Sequence, residues 1–226
     1  MAETSDGRTL VFMLDVDNTL LDNDGAKAAM AAAVNEILTP DAAAHFWQLY
    51  EVVRGETSVV NFPLTLARFA ETYPHTAHLT ALETLLSTFP YSRYVYPRTP
   101  MVLAYLWTLG TPVIVSDGDL VFQAYKIRES GLHEAVRGNV HIFDHKEQHL
   151  DEIRAQFPAS VYVMVDDKER ILDKMKLACG TGVVTVHVCQ GKYAEEPSAP
   201  PTPDIELDTI GDLLGMTASD FRPREQ

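Results

Sequence analysis

Four times along this chain, a short apolar run ends on side chains able to do polar chemistry. Leu10–Leu14 runs into Asp15-Val16-Asp17-Asn18-Thr19-Leu20, and residues 113–115 run into Ser116-Asp117-Gly118-Asp119. Val140–Phe143 leads to Asp144-His145-Lys146, and residues 161–165 lead to Asp166-Asp167. A fifth apolar run covers Val183–Val188. Runs this short and mostly β-branched are how strands buried on both faces read. Amphipathic helical stretches lie between them, as the crossovers of a parallel sheet require. The expected fold class is therefore α/β, a doubly wound (Rossmann-like) parallel sheet. In such a sheet the carboxyl ends of the strands share one edge, where ligands bind, so all four groups would meet there.

The connection between the first two runs is different. Residues 23–92 show helical periodicity and no convincing strand: 28–38 make one candidate helix, Phe46, Trp47, Tyr50 and Val53 mark another, and Leu64, Phe69, Leu79, Leu82, Leu85 and Leu86 suggest two more. We read this as an α-helical insertion, dividing the chain into a core of residues 1–22 and 93–226 and an inserted helical domain of residues 23–92. Within the core, Thr99-Pro100 reads as a helix N-cap with proline at the first position, and Gly110 as its stop. Further helices are expected from about residue 120 to Ser130, stopped by Gly131, and from after Asp167 to near Gly180. Pro112 suits the beginning of a strand. Residues 195–204 hold four prolines and read as a loop, with a short strand and helix over 205–216 and a frayed end.

Composition narrows the function classes. A formal charge of −14 over 226 residues disfavours nucleic acid and acidic membranes as partners, because both need clustered Lys and Arg. Cys179 and Cys189 are too few for a disulfide framework, match no zinc spacing, and read as reduced structural thiols. The apolar run before Asp15 stops at strand length, so neither a signal peptide nor a membrane span is expected, and a cytoplasmic location is.

Each polar group has a chemical reading and a plainer one. Asp15 and Asp17 could pair a carboxylate nucleophile with the acid that protonates a leaving group and then activates water; they could equally end a strand and cap a turn. Ser116 with the Gly118 turn could bind an anion at a helix N-terminus, or supply only the cap. Lys146 could stabilise a charged transition state, or be a surface lysine. Adjacent acids such as Asp166 and Asp167 repel unless a cation is near, and Mg²⁺ binds through one or two carboxylates plus phosphate; a helix cap is the alternative. It is their conjunction that carries weight, since one sheet edge would hold them all.

With these motifs in this order, the chain resembles the haloacid dehalogenase superfamily of hydrolases. The four motifs of that family match Asp15–Leu20, Ser116, Lys146 and Asp166-Asp167, and the helical insertion lies where the family places an α-helical cap. The resemblance implies Asp15 as nucleophile and metal ligand, and Asp17 as general acid/base whose backbone carbonyl also reaches the metal. It implies Thr19 as holding the loop, and Ser116 and Lys146, with Asp117 and Gly118 beside them, as the phosphate-binding set. Asp167 would be the main acid for Mg²⁺, with Asp166 at a position where many members have Gly. Dehalogenases of the family lack an Asp at the place of Asp17, so the implied reaction is Mg²⁺-dependent hydrolysis of a small phosphorylated metabolite through a phosphoaspartate. A phosphomutase using the same groups, or a catalytically weak regulatory or binding member of the fold, is the alternative, in a monomer or homodimer. A phosphoaspartate signalling receiver fits poorly, since its phosphorylated Asp comes later and it lacks the helical insertion. His141, His145 and His149 straddle a strand–loop boundary, so no helix presents them together. Gly180-Thr181-Gly182 precedes a strand, which argues against a dinucleotide loop. Arg54, Arg68 and Arg93, in or beside the insertion, could bind a substrate carboxylate or second phosphate, but read as ordinary solvated arginines.

Overall fold

A computed structural model describes residues 9–57, 59–74, 77–179, 182–195 and 202–223. Six strands form one sheet: β1 (Leu10–Leu14), β2 (Thr111–Asp117), β3 (Val140–Phe143), β4 (Val161–Asp166), β5 (Val183–Val188) and β6 (Ile205–Leu207). All pairings are parallel, and the order is β3-β2-β1-β4-β5-β6. The chain direction across the sheet reverses beside β1, so the ends of β1 and β4 flank the switch point where α/β sheets bind ligands. β1, β4 and β5 are buried at every residue, which is why their sequences carry no polar alternation.

The expectation of strands buried on both faces fails at β3, which is half-buried throughout because it forms a sheet edge. β2 begins earlier than expected and contains Pro112 as its second residue. There β2 pairs only with β1, since the β3 register starts at Ile114, so the absent N–H of proline costs no ladder bond on that side.

The expected insertion after β1 holds four α-helices among the described residues, α1 (Asn23–Ile37), α2 (Pro40–Thr57), α3 (Phe62–Thr72) and α4 (Ala77–Thr88). α1 starts five residues before its apolar stripe suggests, because the Asp22 carboxylate accepts from Gly25 N–H at 2.8 Å and caps it there. Phe46, Phe69 and Leu82 are fully buried inside this bundle, with the Phe46 and Phe69 rings packed edge to face at 5.6 Å. The remaining helices are α5 (Thr99–Leu109), α6 (Leu120–Glu129), α7 (Leu132–Ala135), α8 (Leu150–Gln156) and α9 (Glu169–Cys179). Thr99 is not an N-cap. It is the first residue of α5, and its buried hydroxyl donates to the Leu20 carbonyl at 3.0 Å, tying the helix to the loop after β1. α6 ends before Gly131 as expected, with Gly131 in a left-handed conformation, and the Asp119 side chain caps its other end. After β6 comes the expected short helix, which is of the 3-10 type, Ile210–Gly215. Gly180 and Thr181, most of the proline-rich stretch (196–201) and residues 224–226 lie outside the described residues, as does the Cys179 side chain.

Candidate active site

Asp15 leaves β1 with its N–H donated to Val165 of β4 at 3.0 Å, so the backbone around it is held by the neighbouring strand. The chain then turns sharply. Asn18 takes a left-handed backbone (φ 63°), and its side-chain oxygen accepts from the N–H groups of Asn23 and Asp24 at 3.1 and 3.2 Å. Asn is among the few non-glycine residues that tolerate this conformation. Gln190 braces the loop from below: its Nε2 donates to the carbonyls of Asn18 and Thr19 at 3.2 Å each, while its Oε1 accepts from Ile210 N–H at 2.6 Å. Gly191 follows with φ 66°, and a Cβ there would stand 2.5 Å from Asn18 Cγ. Neither Gln190 nor Gly191 was visible as a site residue in the sequence, because their role comes from a neighbour 172 positions away.

The sheet edge brings together Asp15, Lys146, Asp166 and Asp167, all buried. Lys146 is 1% exposed, with its ammonium 2.5 Å from Asp15 Oδ1 and 2.6 Å from Asp166 Oδ2. Burial works against that charge, but the two carboxylates outweigh it and raise the lysine above its ordinary range. Burial is also the largest influence on Asp15, whose pKa is pushed up to about 6 against the pull of Lys146 and with the repulsion of Asp166. Asp167 is pushed up to about 8, by burial first and then by Asp15. Asp166 moves the other way: burial opposes its charge, but Lys146 and then Lys168 hold it below the usual carboxylate range.

Oxygens of Asp15, Asp166 and Asp167 lie within 4.8 Å of one another. Among the described residues, Asp15 Oδ2 and Asp167 Oδ2 have no hydrogen-bond partner, and Asp167 Oδ1 meets only the Lys168 ammonium. Buried carboxylate oxygens left this way are costly unless a cation or proton takes them. The trio therefore has the donor chemistry to hold a hard divalent ion. Lys168 stands at the rim, its Nζ 3.3 Å from Asp167 Oδ1.

The other expected residues lie around this centre. Ser116 Oγ is buried and accepts from Gln123 Nε2 at 2.9 Å. Thr19 is fully buried with no partner for its hydroxyl among the described residues. Asp117 and Gly118 are engaged with the protein instead of facing outward: the Asp117 carboxylate accepts from Lys146 N–H at 2.7 Å, and Gly118 N–H donates to the Phe143 carbonyl at 3.0 Å. In this arrangement Gly118 has no free N–H for an anion, and the expectation that it presents one is not met.

Asp17 stands apart from the trio. Its carboxylate receives Lys126 Nζ at 2.7 and 2.9 Å, and that ammonium also reaches Asn23 Oδ1 at 3.2 Å. Burial would raise Asp17, but the attraction and hydrogen bond of Lys126 bring it below its ordinary value. Lys126 is the seventh residue of α6, and what marks it is the burial of its side chain, which only the assembled fold reveals. Asp17 and Lys126 form one wall of a cavity of about 370 Å³, which opens between the sheet edge and helices α1 and α2, with Lys27, Trp47, Tyr50 and Arg54 on the facing side. Arg54 also pairs with Glu51 at 3.5 Å, and Arg68 with Glu56 at 2.6 Å. His141 and His149 each stack on the Phe143 ring, with centroids 5.9 and 4.3 Å away.

No protein-family model and no curated protein matches this chain. Among solved structures, a protein from Burkholderia xenovorans LB400, described as a haloacid dehalogenase-like hydrolase, is 39% identical. The match covers 94% of this chain and 98% of that one, with a TM-score of 0.83. This chain belongs to the haloacid dehalogenase-like hydrolases. It is a hydrolase by family, and its Asp15, Ser116, Lys146 and Asp166-Asp167 occupy the sheet edge from which the resemblance was read. More distant structures share the fold of this hydrolase. YfnB of Bacillus subtilis, described as a HAD hydrolase bound to magnesium, matches at 18% identity and TM-score 0.58 over 92% of this chain and 98% of that one. A 2-haloacid dehalogenase of Pseudomonas syringae pv. Tomato DC3000 matches at 18% and TM-score 0.65 over 92% and 97%. Among the described residues, no helix is long and apolar enough to cross a membrane.

Proposed function

We propose that this hydrolase is a phosphatase that cleaves a small phosphorylated metabolite through a phosphoaspartate at Asp15, with Mg²⁺ held by Asp15, Asp166 and Asp167. The observation that carries the reading is Asp17: a second carboxylate, two residues from the nucleophile, facing the cavity and held by Lys126. A halide leaves carbon without a proton, whereas an alkoxide leaves phosphorus poorly unless one is supplied. A positioned acid beside the nucleophile therefore suits phosphate ester cleavage. Lys146 occupies Asp15 Oδ1, which leaves Oδ2 as the oxygen free to act.

In this account Asp15 attacks phosphorus. Asp17, which takes up a proton from solvent once the arriving phosphate draws Lys126 away from it, gives that proton to the leaving ester oxygen, and then takes a proton from the water that cleaves the acyl phosphate. Bound Mg²⁺ supplies charge neutralisation for the phosphoryl oxygens. Lys146 fixes the nucleophile and adds positive charge beneath it. Ser116, steadied by Gln123, is within the same edge to contact the phosphoryl group. Helices α1–α4 form the cap over the cavity, and the room beneath them suits a metabolite rather than a macromolecule. The direct test measures phosphate release from a panel of phosphorylated metabolites, and halide release from 2-haloacids, each with and without Mg²⁺. Magnesium-dependent phosphate release is the expected result; metal-independent halide release would contradict the reading.

Two further expectations follow from the electrostatics. Lys126 holds Asp17 ionised at rest, so the pair must loosen when a phosphate dianion arrives and competes for the ammonium. Lys126→Gln should raise the pKa of Asp17, moving the basic limb of the kcat/KM profile to higher pH. It should also lower kcat roughly 10- to 100-fold, part of what positioned acid–base catalysis supplies. A profile that does not move would leave Lys126 with a packing role only.

The second expectation concerns the metal. Asp15 and Asp167 carry raised pKa values of about 6 and about 8, so in the metal-free protein their ionised forms cost stability at pH above those values. Binding a cation needs both ionised and displaces their protons. Mg²⁺ affinity should therefore rise as pH increases from 5.5 to about 8.5. At a hundred times its Kd, Mg²⁺ should stabilise the fold by about 2.7 kcal/mol, read as a Tm increase of roughly 5–10 °C for a chain of this size. An increase that is independent of pH would place the ion elsewhere.

A further inference from the structure

Next to the acidic edge, β5 and β6 carry a second set of metal-ligating side chains that the proposed reaction does not use. His187 and Cys189 are two residues apart, and the ladder continues through Cys189, whose N–H donates to the Leu207 carbonyl at 2.8 Å. With period-2 alternation the two side chains share a face. Glu206 is the register partner of His187 across the parallel pair, which puts its side chain on that face as well. A nitrogen of His187, the sulfur of Cys189 and a carboxylate oxygen of Glu206 lie within 4.8 Å of one another.

The orientation of His187 is a second and independent observation. The residue is 5% exposed, and its Nε2 lies 3.2 Å from the Asp167 carbonyl oxygen. A carbonyl only accepts, so Nε2 carries the hydrogen, and in the neutral ring Nδ1 presents a lone pair. Nδ1 faces Cys189 Sγ at 3.6 Å and Glu169 Oε1 at 3.5 Å. A metal-ligating histidine is typically oriented in this way, its outer N–H held by a backbone carbonyl. A tetrahedral ion with nitrogen at about 2.0–2.1 Å and sulfur at about 2.3 Å sets those two atoms about 3.6 Å apart.

The geometry points to a site for a Zn²⁺-type divalent cation, held by His187 Nδ1, Cys189 Sγ and a Glu206 oxygen, with water or Glu169 completing four ligands. Thiolate and imidazole select such an ion over Mg²⁺, which the all-oxygen trio suits. On binding, the Cys189 S–H gives its proton to solvent as the sulfur–metal bond forms. The ion would pin the three-residue edge strand β6 to β5 and, through the His187 ring, connect to the Asp167 loop. The sequence spacing hides this site because its third ligand comes from another strand.

Co²⁺ is the probe, added to the full-length, thiol-reduced protein with Mg²⁺ in excess to occupy the acidic trio. One equivalent should produce a thiolate-to-cobalt band in the near ultraviolet and intense visible bands of tetrahedral coordination. Both should persist in Cys179→Ser and be lost in Cys189→Ser. Glu206→Gln should weaken Co²⁺ binding about 10-fold or more, in the range that altered ligand environments cost, and Zn²⁺ should raise the Tm of the wild type but not of Cys189→Ser. Absence of the thiolate band would overturn the proposal and leave His187 as a partner of Glu169 alone. A band surviving Cys189→Ser, or binding unchanged in Glu206→Gln, would overturn it equally.

Discussion

Asp15→Asn is expected to abolish turnover, by about four orders of magnitude or more, as loss of a nucleophile does when the group acts as part of a unit, while the protein stays folded. The amide is isosteric with the carboxylate but cannot attack phosphorus. Its effect on stability has the opposite sign to that of most buried substitutions. The Asp15 carboxyl is pushed up to about 6, chiefly by burial. A folded-state pKa above the ordinary value means that ionised Asp15 destabilises the metal-free fold above pH 6, and that this cost fades as pH falls through 6. The variant should therefore melt at or above the wild-type temperature at pH 8, and the difference should shrink by pH 5. Lys146 keeps Asp166 as its counter-ion, so the ammonium is not stranded. Retained phosphatase activity with a clear drop in Tm would assign Asp15 to turn capping instead of chemistry.

Lys146→Met is expected to be the most destabilising single change at the site. The ammonium is the charge that lets Asp15 and Asp166 share a buried pocket, at 2.5 and 2.6 Å from them. Removing one partner of a buried ion pair costs roughly 3–5 kcal/mol, because the other charge stays buried without compensation. In a chain of this length that corresponds to a Tm loss of roughly 6–20 °C. The raised pKa of the lysine lies above its ordinary value, so its stabilising effect is complete at neutral pH and is lost only in strong alkali. Two controls separate this mechanism from simple cavity formation. The deficit should narrow at low pH, as the carboxyls take up protons, and Mg²⁺ should recover part of it by neutralising the same oxygens. A deficit indifferent to both would indicate lost packing rather than stranded charge.

How much of this was legible in the sequence depends on the range of the interaction. The five apolar runs became β1 to β5, four of them because strands buried on both faces have one compositional solution, and the acids that follow them could only meet on the shared edge. Asp15, Lys146, Asp166 and Asp167 could thus be placed together from spacing alone. What escaped was set by contacts between distant segments. Lys126 meets Asp17 across 109 residues, and a lysine on a helix gives no hint that it turns inward. Thr99 looked like a cap because Thr before Pro usually is one, but the tertiary bond to Leu20 claimed its hydroxyl. Gly118 looked like a free donor because its turn precedes a helix; the end of β3 took that N–H instead. The half-burial of β3 was missed for the same reason, since an edge position is a property of the assembled sheet.

The central claim is that the reaction passes through an acyl phosphate on Asp15, and that species can be caught. The protein is quenched during turnover of its best phosphorylated substrate, reduced with borohydride, which converts an aspartyl phosphate to homoserine, and mapped by peptide mass spectrometry. Homoserine at position 15, increased in Asp17→Asn because its second step is slowed, is the expected result. Turnover with no homoserine at position 15, or with the modification on another residue, would contradict the account.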